Sequence, residues 1–375
     1  MAKLGEVCKV SPSTKNIERQ GAWLLNLDMV EQQTGRVIEY KYVGEDDLNG
    51  SIIQFDTENV LYSKLRPNLN KVVLPQKDGF STSELLPLRP DARVLNRDYL
   101  AVFLRSDSFV TWAVSKTAGA KMPRLGTKDL MNAEIPVPTI EQQKKIAEKF
   151  KKLEQLISLR KQQLAKLDEL VKARFVEMFG VVHNSVLYPY VPVKSFTSVV
   201  SGGTPNRNVS EFWNNGSIRW VKTTELQNNV ICNTDEKITQ AGLDNSSAKI
   251  IPPNTVLIAM YGQGKTRGMT GYTSIECATN QACACILPCE QFNQNYLWRY
   301  MILSYDKLRD MAKGGNQPNL NIGIIKNFPV LKPPIELQND FAAFVERVDQ
   351  QKQTVQQSLE KLELMKKALM QEYFG

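Results

Sequence analysis

The chain contains one long segment twice, and this repeat limits the folds that the sequence can adopt. The segment begins with Ile-Glu-Gln-Gln at Ile140 and with Ile-Glu-Leu-Gln at Ile335, and it ends in Phe-Gly at Gly180 and Gly375. Its start and its end are both displaced by 195 residues, so the two copies have equal length without a gap. A long repeat of this kind indicates one structural unit that is used twice.

Both copies have the pattern of a single long helix. Apolar or long-stemmed side chains recur at alternating steps of four and three residues, which is the spacing of the contact positions in a coiled coil. These positions are Leu153, Ile157, Arg160, Leu164, Leu167 and Val171 in the first copy, and Val348, Lys352, Val355, Leu359, Leu362, Lys366, Leu369 and Tyr373 in the second. Neither copy contains an internal Pro or Gly, and most of the residues between these positions are good helix formers.

The residues before each copy predict where the two helices begin. Thr139 and Gln142 have the spacing of a capping box, and Pro334 suits the first helical turn, where its missing N–H costs nothing. The first helix would be on the order of 58 Å long, which is too long to bury within one ordinary domain. We therefore predict that the two helices lie side by side as an antiparallel pair, because two unrelated surface helices would leave the matched register unexplained.

Length and composition predict a cytoplasmic protein of two or three domains. The chain has 375 residues, no apolar run of membrane-spanning length and no apolar signal core at its start. His183 is the single histidine in the sequence, and we expect it at the surface. Because acid–base catalysis and metal sites depend heavily on histidine, its scarcity argues against a hydrolase or a zinc enzyme.

The charge of the chain indicates an acidic partner such as nucleic acid. The formal net charge is +8 and the isoelectric point is about 9.0. Residues 135–180 carry 10 basic and 6 acidic side chains, and residues 181–327 carry 13 and 9. The positive charge is therefore concentrated on the middle helix and on the segment after it, although a solvated helix face explains much of the excess on the helix.

The repeat divides the chain into domain, helix, domain and helix, at residues 1–138, 139–180, 181–332 and 333–375. Short strands are predicted at residues 60–63 and 71–74 in the first domain and at 256–260 and 283–287 in the second, and helical spacing at 99–116 is matched from Tyr296 onward. We predict an α+β fold with a pseudo-twofold internal repeat, in which the helices repeat closely and the two globular domains share only a plan.

Several sequence motifs, and their order along the chain, resemble those of a known family. Residues 201–207 (Ser-Gly-Gly-Thr-Pro-Asn-Arg), 212–220 (Phe-Trp-Asn-Asn-Gly-Ser-Ile-Arg-Trp) and 279–281 (Thr-Asn-Gln) resemble a target recognition domain of type I restriction–modification specificity subunits. Residues 61–67 and 80–84 resemble a second subtype of that domain, and the starts of the two long helices resemble the family's spacer helices. The first domain lacks the Gly-Gly-Thr-Pro and Trp-Asn-Asn-Gly pieces, so those positions are carried over only to the second domain.

The resemblance implies a non-catalytic subunit that recognises a bipartite, asymmetric double-stranded DNA target. It implies that the helix pair fixes the gap between the two half-sites and binds two methyltransferase subunits, together with two restriction subunits where the system cleaves DNA. S-adenosylmethionine, ATP and Mg²⁺ are then expected in the partners, and no cofactor or metal in this chain. Leu156, Phe175 and Phe179 are predicted to take part in docking the partners.

Loops that offer both cations and amides are the candidate DNA contacts, because Lys and Arg neutralise phosphates while Arg, Lys, Asn and Gln recognise base edges. The candidates are Lys64, Arg66, Asn68, Asn70, Lys71, Lys121 and Arg124 in the first domain, and Arg207, Lys222, Thr223, Lys265, Arg267, Asn280, Gln281, Asn316 and Gln317 in the second. Each of these positions is also compatible with a solvated loop or a capped turn.

Three other motifs are better explained without a cofactor. Residues 259–266 follow a relaxed phosphate-binding-loop pattern, but the sequence after them is turn-like and does not predict the helix that such a loop must open, so a DNA-facing loop or an ordinary hairpin is favoured over ATP binding. Cys277, Cys283, Cys285 and Cys289 lack paired Cys-x-x-Cys spacing and are interpreted as buried strand residues rather than zinc ligands. The tryptophans are expected in the core rather than as stacking platforms for bases.

Two other functions remain open from the sequence alone. The chain could be a stand-alone protein that binds two DNA sites without methyltransferase partners, or a coiled-coil adaptor whose basic loops bind nothing. All three functions share the paired helices, so the sequence pattern of the helices does not distinguish them.

Overall fold

The computed structural model describes residues 1–44, 48, 51–119, 121–262, 264–312 and 318–375. Its residues group into two compact units. Unit 1 comprises Met1–Gln162 with Gln356–Gly375, and unit 2 comprises Gln163–Val355. The candidates Asn316 and Gln317 lie outside the described residues.

Unit 1 is a mixed α/β domain built on two four-stranded sheets. Its strands are β1 (Ala2–Lys3), β2 (Cys8–Val10), β3 (Ala22–Leu25), β4 (Lys41–Val43), β5 (Ile52–Phe55), β6 (Val60–Ser63), β7 (Val72–Val73), β8 (Gly79–Thr82), β9 (Leu85–Pro90), β10 (Thr117–Ala118), β11 (Arg124–Leu125) and β12 (Glu134–Ile135). Its short helices are α1 (Leu4–Val7), α2 (Arg97–Leu104), α3 (Asp107–Ser115) and α4 (Thr127–Met131). The sheet orders are β2-β9-β6-β7 and β4-β3-β8-β5.

Unit 2 has a five-stranded and a three-stranded sheet. Its strands are β13 (Tyr190–Pro192), β14 (Val199–Ser201), β15 (Ile218–Val221), β16 (Asn229–Ile231), β17 (Glu236–Ile238), β18 (Val256–Ala259), β19 (Thr270–Thr273), β20 (Ala278–Thr279), β21 (Cys283–Ile286) and β22 (Pro329–Leu331). Its short helices are α6 (Gln240–Asp244), α7 (Gln294–Leu303), α8 (Tyr305–Asp310) and α9 (Ile322–Lys326). The sheet orders are β14-β21-β18-β19-β16 and β17-β15-β20.

The two domains share one topology although their sequences differ. In unit 1 the order β2-β9-β6-β7 is antiparallel throughout, and β14-β21-β18-β19 repeats it in unit 2. In each domain the second sheet contains a parallel pair, β3 with β8 and β15 with β20, which is extended by an antiparallel strand, β4 or β17. The prediction of an α+β fold with an internal repeat is confirmed.

Two uninterrupted helices of 40 residues each follow the domains, α5 (Ile140–Phe179) and α10 (Ile335–Phe374). The capping box predicted for α5 is present: the Gln142 amide N–H donates to Thr139 Oγ1 at 3.3 Å, and the Thr139 N–H donates to Gln142 Oε1 at 3.0 Å. Pro334 lies immediately before α10, where its carbonyl accepts the Gln338 N–H at 3.2 Å. At about 1.5 Å per residue, each helix is roughly 60 Å long.

The segments of α5 and α10 run antiparallel within each unit. In unit 1, Lys149 Nζ donates to the Tyr373 hydroxyl at 2.8 Å, and Lys366 Nζ donates to Glu154 at 2.9 Å. A later residue of α5 therefore meets an earlier residue of α10. In unit 2, Lys352 Nζ contacts Asp168 at 2.6 Å, and the Phe175 ring lies 5.5 Å from that of Phe341. The predicted side-by-side arrangement of the helices is confirmed.

The burial pattern of both helices follows the four–three spacing. The apolar members of the seam are buried or half-buried, and the positions between them are largely exposed. The seam residues are Leu153, Ile157, Leu164, Leu167 and Val171 on α5 and Val348, Val355, Leu359, Leu362 and Leu369 on α10. The long polar members of the pattern also face the partner helix, since Arg160 Nε donates to Ser358 Oγ at 3.2 Å.

The ends of the helices are part of the domain cores. Phe150 and Phe374 pack in the main core of unit 1, and Phe175, Phe179 and Phe341 pack in that of unit 2. Phe175 and Phe179 are fully buried, so the prediction that they dock partner subunits is wrong. Their aromatic rings pack in the core of unit 2 where α5 joins the domain, so a partner subunit cannot contact them.

A glutamine that is kept in both copies of the repeat fastens each helix to its domain. Gln143 is fully buried; its Oε1 accepts the Asn96 N–H at 2.8 Å, and its Nε2 donates to the carbonyl oxygens of Val94 and Pro138 at 2.9 and 2.7 Å. In the second copy, Gln338 accepts the Asn293 N–H at 2.9 Å in the same way. Asn96 and Asn293 are the N-caps of α2 and α7, so each glutamine joins two helix starts.

Replacing Gln143 by alanine should lower the free energy of unfolding of unit 1 by about 2–3 kcal/mol, because three partly buried backbone groups lose their partner. Gln142→Ala is the matched control: Gln142 is exposed, and it contributes only to the capping box, so a loss of about 0.5–1 kcal/mol is expected. Urea denaturation of the two variants measures the difference. Equal losses of stability in the two variants would show that the hydrogen bonds of Gln143 stabilise unit 1 no more than the capping box does.

The helix predicted over residues 99–116 is interrupted, so α2 and α3 form in its place. Arg105 ends α2 because its carbonyl accepts the Asn70 side-chain N–H at 3.0 Å and its guanidinium donates to the Val72 carbonyl at 2.8 Å. Ser106 then caps α3 by accepting the Phe109 N–H. Within the described residues, none of the helices combines the length and the apolar character that crossing a bilayer requires.

Candidate nucleic-acid interface

In unit 1, the fold brings two of the predicted loops together. The Arg66 N–H donates to the Pro123 carbonyl at 2.8 Å, and the Leu125 N–H donates to the Lys64 carbonyl at 2.9 Å. Leu65 and Arg124 form an isolated β-bridge between the same segments. The basic residues of both loops therefore belong to one surface, although about 60 residues of sequence separate them.

The exposed candidates on this surface are Arg66, Asn68, Lys121 and Arg124, and Lys64 is half-buried. Arg66 takes a left-handed conformation (φ 50°), which lets the chain turn sharply after Leu65. Arg124 forms an ion pair with Glu84, with 3.2 Å between Nη2 and Oε1. A DNA phosphate would have to compete with this carboxylate for the arginine.

Two candidates in the same loop serve the fold instead. Asn70 is buried, with its side-chain N–H donated to the Arg105 carbonyl, so it is not available to recognise a base. Lys71 is half-buried and its ammonium donates to the Leu27 carbonyl; burial lowers its pKa. Asn70 is thus a correction to the predicted site, and Lys71 already has an internal partner.

In unit 2, the candidate residues gather where two parallel strands end. The strands β15 and β20 run in the same direction, with Val221 opposite Thr279. Lys222 and Thr223 follow the first strand and Asn280 and Gln281 follow the second, so these side chains share one edge of the sheet. Adjacent turns are held to this edge by backbone hydrogen bonds from Asn280 to Val221 and from Met260 to Ala282, at 3.1 and 2.8 Å.

The glycines of the Gly-Gly-Thr-Pro motif allow a close approach of backbones. A Cβ atom on Gly202 would lie 1.8 Å from the Thr279 carbonyl oxygen, and one on Gly203 would lie 2.4 Å from the Ala248 nitrogen. The Gly203 N–H donates to the Thr279 carbonyl at 2.9 Å. The motif therefore sets the position of the next loop, residues 204–207, against the sheet edge.

Arg207 is held on an aromatic shelf. Its guanidinium carbon lies 3.8 Å from the ring centroid of Trp213 and 4.9 Å from that of Trp220. Its Nη1 donates to Glu236, and Lys222 Nζ donates to the same carboxylate at 2.9 Å. Both cations are candidates from the sequence, but Glu236 and the shelf are not apparent there, because only the antiparallel pairing of β15 and β17 brings Glu236 beside the cations.

The described residues of the segment 260–269 belong to the turn of a hairpin and not to a phosphate-binding loop. They connect β18 to its antiparallel neighbour β19, and no helix opens after them in the described part of the chain. Lys265 is exposed, while Arg267 is half-buried and donates to the Pro318 carbonyl. Arg309, which the sequence analysis missed, fixes the turn by donating to the carbonyl oxygens of Gly264 and Arg267 at 2.9 and 3.0 Å.

Of the four clustered cysteines, Cys283 and Cys285 lie on strand β21 as predicted, whereas Cys277 precedes β20 and Cys289 is half-buried after β21. Cys277, Cys283 and Cys285 are buried, and burial raises the pKa of Cys277 and Cys285 to about 12, so their thiols stay protonated at neutral pH. Among the described residues, no group of three or more His, Cys, Asp or Glu side chains is placed to hold a metal ion. Trp220 and Trp298 are buried as predicted, whereas Trp112 and Trp213 are half-buried.

The prediction that His183 is a surface residue is wrong. It is half-buried in unit 2, with its ring edge-on to Tyr300 and Phe328 at centroid distances of 5.6 and 5.5 Å. Burial lowers the pKa of the imidazole below its usual value. The Tyr300 hydroxyl lies 3.3 Å from the ring Nδ1, so the imidazole packs between Tyr300 and Phe328 with a hydrogen-bond partner.

The chain is an α+β protein of a repeated kind. It has two domains with a shared strand order, two long antiparallel helices, and polar loops at the sheet edges. The family described as "Type I restriction modification DNA specificity domain" matches residues 1–169 and 188–364 of this chain. The chain belongs to that family. The gap in the match, residues 170–187, covers the end of α5 and the start of the second domain.

Curated relatives are similar to the chain at low sequence identity. The specificity subunit of the Escherichia coli type I restriction enzyme EcoR124I/EcoR124II is 27% identical over 152 residues, which is 40% of this chain and 37% of that protein. The EcoDI specificity subunit of the same species is 26% identical over 33% of this chain and 27% of that protein. The matched segment thus spans about a third of each E. coli relative. The MjaIX specificity subunit of Methanocaldococcus jannaschii is 21% identical over 92% of this chain and 84% of that protein.

Solved structures share the fold over the full chain. The S subunit of a type I restriction-modification system from M. genitalium superposes with a TM-score of 0.63 at 13% identity, covering 100% of this chain and 95% of that chain. A chain from a structure described as "Structural basis underlying complex assembly and conformational transition of the type I R-M system" gives a TM-score of 0.62 at 17% identity, covering 100% and 96%. The fold of this chain, two α+β domains and two long helices, is therefore also the fold of these solved structures.

Proposed function

We propose that this chain is the DNA-specificity subunit of a type I restriction–modification complex. The observation that supports this most strongly is the combination of one family match across both domains with two domains of equal topology and unlike surface loops. Unlike loops predict two different half-sites, so the target should be bipartite and asymmetric. A protein that recognises DNA in this way would work in the cytoplasm of a bacterial or archaeal cell.

Each recognition surface combines phosphate-binding and base-recognising side chains. In the first domain these are Lys64, Arg66, Asn68, Lys121 and Arg124. In the second domain they are Arg207, Lys222, Thr223, Lys265, Arg267, Asn280 and Gln281. Positioning by cations and discrimination by amide and guanidinium groups is the usual division of labour at protein–DNA interfaces.

The helix pair is the proposed attachment site for two methyltransferase subunits. Large apolar side chains that the helices leave exposed in unit 1 are Leu156 (45% exposed), Leu159 (58%), Leu364 (68%) and Met365 (54%). Four large exposed apolar side chains, two on each helix, are more than a solvated helix pair needs. Leu156 was predicted as a docking residue and stays in that proposal, whereas Phe175 and Phe179 leave it.

The chemistry in this proposal belongs to the partners. The methyltransferase subunits would bring S-adenosylmethionine, and restriction subunits, where the system has them, would bring ATP and Mg²⁺. This chain would then be non-catalytic and would bind neither cofactor nor metal. Its helices would fix the distance between the half-sites.

The proposal is tested by methylome sequencing of cells that express the chain together with its methyltransferase subunit. The expected result is one methylated adenine motif with two specific half-sites and a gap of fixed length. Absence of any gapped motif would favour the stand-alone DNA-binding protein, if the chain alone still binds two duplex sites, or the adaptor, if it binds none.

Changing one recognition surface should change one half-site only. We expect Lys121→Gln with Arg124→Gln to alter or abolish recognition of one half-site and to leave the other half-site and the gap unchanged, because both residues lie on the unit 1 surface. Lys116→Gln is a matched control, since Lys116 is also exposed in unit 1 but ends helix α3 outside the two loops. Simultaneous changes in both half-sites would contradict independent recognition by the two domains.

A further inference from the structure

One carboxylate in unit 2 sits where two candidate phosphate-binding cations meet. Glu236 begins β17 and lies opposite Trp220 of β15 in the antiparallel register. Arg207 Nη1 and Lys222 Nζ donate to its two oxygens, Oε2 and Oε1. Each oxygen of the carboxylate therefore has its own cationic donor.

Arg207 is held in place by groups other than Glu236. The Trp213 indole N–H donates to the Asn206 carbonyl at 3.1 Å, and the Trp220 indole N–H donates to the Gly203 carbonyl at 2.9 Å. These bonds fix the aromatic shelf under Arg207, whose guanidinium stacks on it. The stack is favourable with or without an anion, because a guanidinium is attracted to an aromatic face.

The three side chains of this cluster are partly exposed to solvent. The side chain of Arg207 is 49% exposed, that of Glu236 is 31% exposed and that of Lys222 is 26% exposed. Partial burial alone would raise the pKa of Glu236, but the hydrogen bonds from Lys222 and Arg207 hold it below its usual value. The hydrogen bond to Glu236 raises the pKa of Lys222. Both shifts favour the charged forms of Glu236 and Lys222 at neutral pH.

We propose that Glu236 is an internal mimic of a DNA phosphate, which occupies the anion position between Arg207 and Lys222 until duplex DNA displaces it. The proposal rests on the proposed function. A carboxylate and a phosphate present similar oxygens to a guanidinium and an ammonium group. The displaced carboxylate moves toward solvent, so the cations change one anion for another and keep their charge balance.

The mimic makes the second recognition surface selective. A DNA phosphate that contacts only Arg207 and Lys222 gains little binding free energy, because two existing charged hydrogen bonds to Glu236 must first break. Tight binding then depends on further contacts to bases at the same sheet edge, which Asn280 and Gln281 can provide. Glu236 is in this sense a residue that limits binding to DNA of arbitrary sequence.

Removing the charge of Glu236 should strengthen binding to arbitrary DNA. In the complex of the full chain with its methyltransferase subunit, we expect Glu236→Gln to bind a fluorescein-labelled duplex of arbitrary sequence about tenfold more tightly. The reason is that the amide competes less well than a carboxylate for the two cations. Fluorescence anisotropy at a series of salt concentrations measures the affinity and its salt dependence.

The adjacent Asp235→Asn is the matched control, because it removes the same charge one residue away. Asp235 is 74% exposed and lies 3.5 Å from Lys222, without a bond to Arg207. Its effect should stay within about twofold, as for an exposed ion pair. The gain of Glu236→Gln should also disappear when Arg207→Gln is added, which assigns the effect to this pair.

Two failures are distinguishable in this experiment. If the wild-type complex binds no duplex even at low salt, the proposed function itself is contradicted. If the wild type binds and Glu236→Gln binds with unchanged affinity, or no more tightly than Asp235→Asn, the internal mimic is overturned. Thermal unfolding of each variant shows whether it is folded, and Glu236→Asp, which keeps the charge but retracts the carboxylate, should fall between the wild type and Glu236→Gln.

Discussion

Replacing Phe175 by alanine should lower the free energy of unfolding of unit 2 by about 3–5 kcal/mol. The ring is fully buried at the end of α5 and lies 5.0 Å from Phe179, 5.5 Å from Phe341 and 6.0 Å from Tyr296, measured between ring centroids. Removing it leaves a cavity among aromatic side chains that cannot collapse without moving a helix. The midpoint of thermal unfolding should fall by on the order of 10 °C.

The next residue supplies the control for this experiment. Val176 is 45% exposed on the same turn of α5, so Val176→Ala should change stability by no more than about 0.5 kcal/mol. The pair also separates packing from docking. A Phe175→Ala variant that keeps its stability but loses the methyltransferase subunit would show that the aromatic residue does contact the partner, and the burial argument would fail.

Docking is expected to depend on the exposed apolar residues instead. Leu156→Ala with Leu159→Ala should weaken association with the methyltransferase subunit by about tenfold or more, since each lost leucine contact at an interface is of the order of 1 kcal/mol. Stability should stay close to that of the wild type, because both side chains are exposed in unit 1. Size-exclusion chromatography or calorimetry of the reconstituted complex measures the affinity, and an unchanged affinity would place the docking surface elsewhere.

The helix pair could be predicted from sequence because two independent signals agreed. The register of the repeat gave the lengths of α5 and α10, and the four–three spacing gave the face on which they pair. The strand at Val60–Ser63 was predicted with its correct bounds, and those at Val256–Ala259 and Cys283–Ile286 to within one residue. Short apolar runs between turns are typical of buried strands, and each of these is fully buried.

The pairing of strands could not be predicted in the same way. Alternation shows which face of a strand is buried but not which strand lies beside it. The parallel pair β15 and β20 brings Lys222 next to Asn280, and the antiparallel pair β15 and β17 brings Glu236 next to Arg207 and Lys222. The sequence therefore gave the candidate cations, while their carboxylate partner was visible only in the fold.

Local backbone bonds account for the other differences. Asn70 looked like a base-recognising amide in a basic loop, but its side chain ends helix α2 through the Arg105 carbonyl. Gln143 and Gln338 were visible as part of the repeated Ile-Glu-x-Gln motif, yet their role as buried links to Asn96 and Asn293 required the structure. Amide side chains form loop contacts and caps as readily as they recognise bases, so composition alone does not separate the two roles.

Deleting one heptad from each long helix should shorten the gap of the methylated motif by about 3 base pairs. Seven helical residues span ~10.5 Å, and duplex DNA rises ~3.4 Å per base pair. Suitable segments are residues 161–167 and 353–359, which lie between the Glu154–Lys366 pair of unit 1 and the Asp168–Lys352 pair of unit 2. Removing both segments takes out two seam residues from each helix and keeps every remaining seam residue in its heptad position.

The deletion should also weaken DNA binding, because shortening the helices and shortening the gap in the DNA rotate the two domains and the two half-sites by different angles. A heptad returns the helix seam to within ~20° of its starting direction, whereas three base pairs turn the duplex by roughly 100°, given about 10.5 base pairs per turn. We therefore expect a shorter gap at reduced occupancy, with both half-sites unchanged, in methylome sequencing. Deleting residues 161–167 alone is the control: the seam residues beyond the cut lose their partners, so the complex should lose stability and methylation together. Altered half-sites with an unchanged gap in the double deletion would contradict the helix pair as the element that sets the spacing.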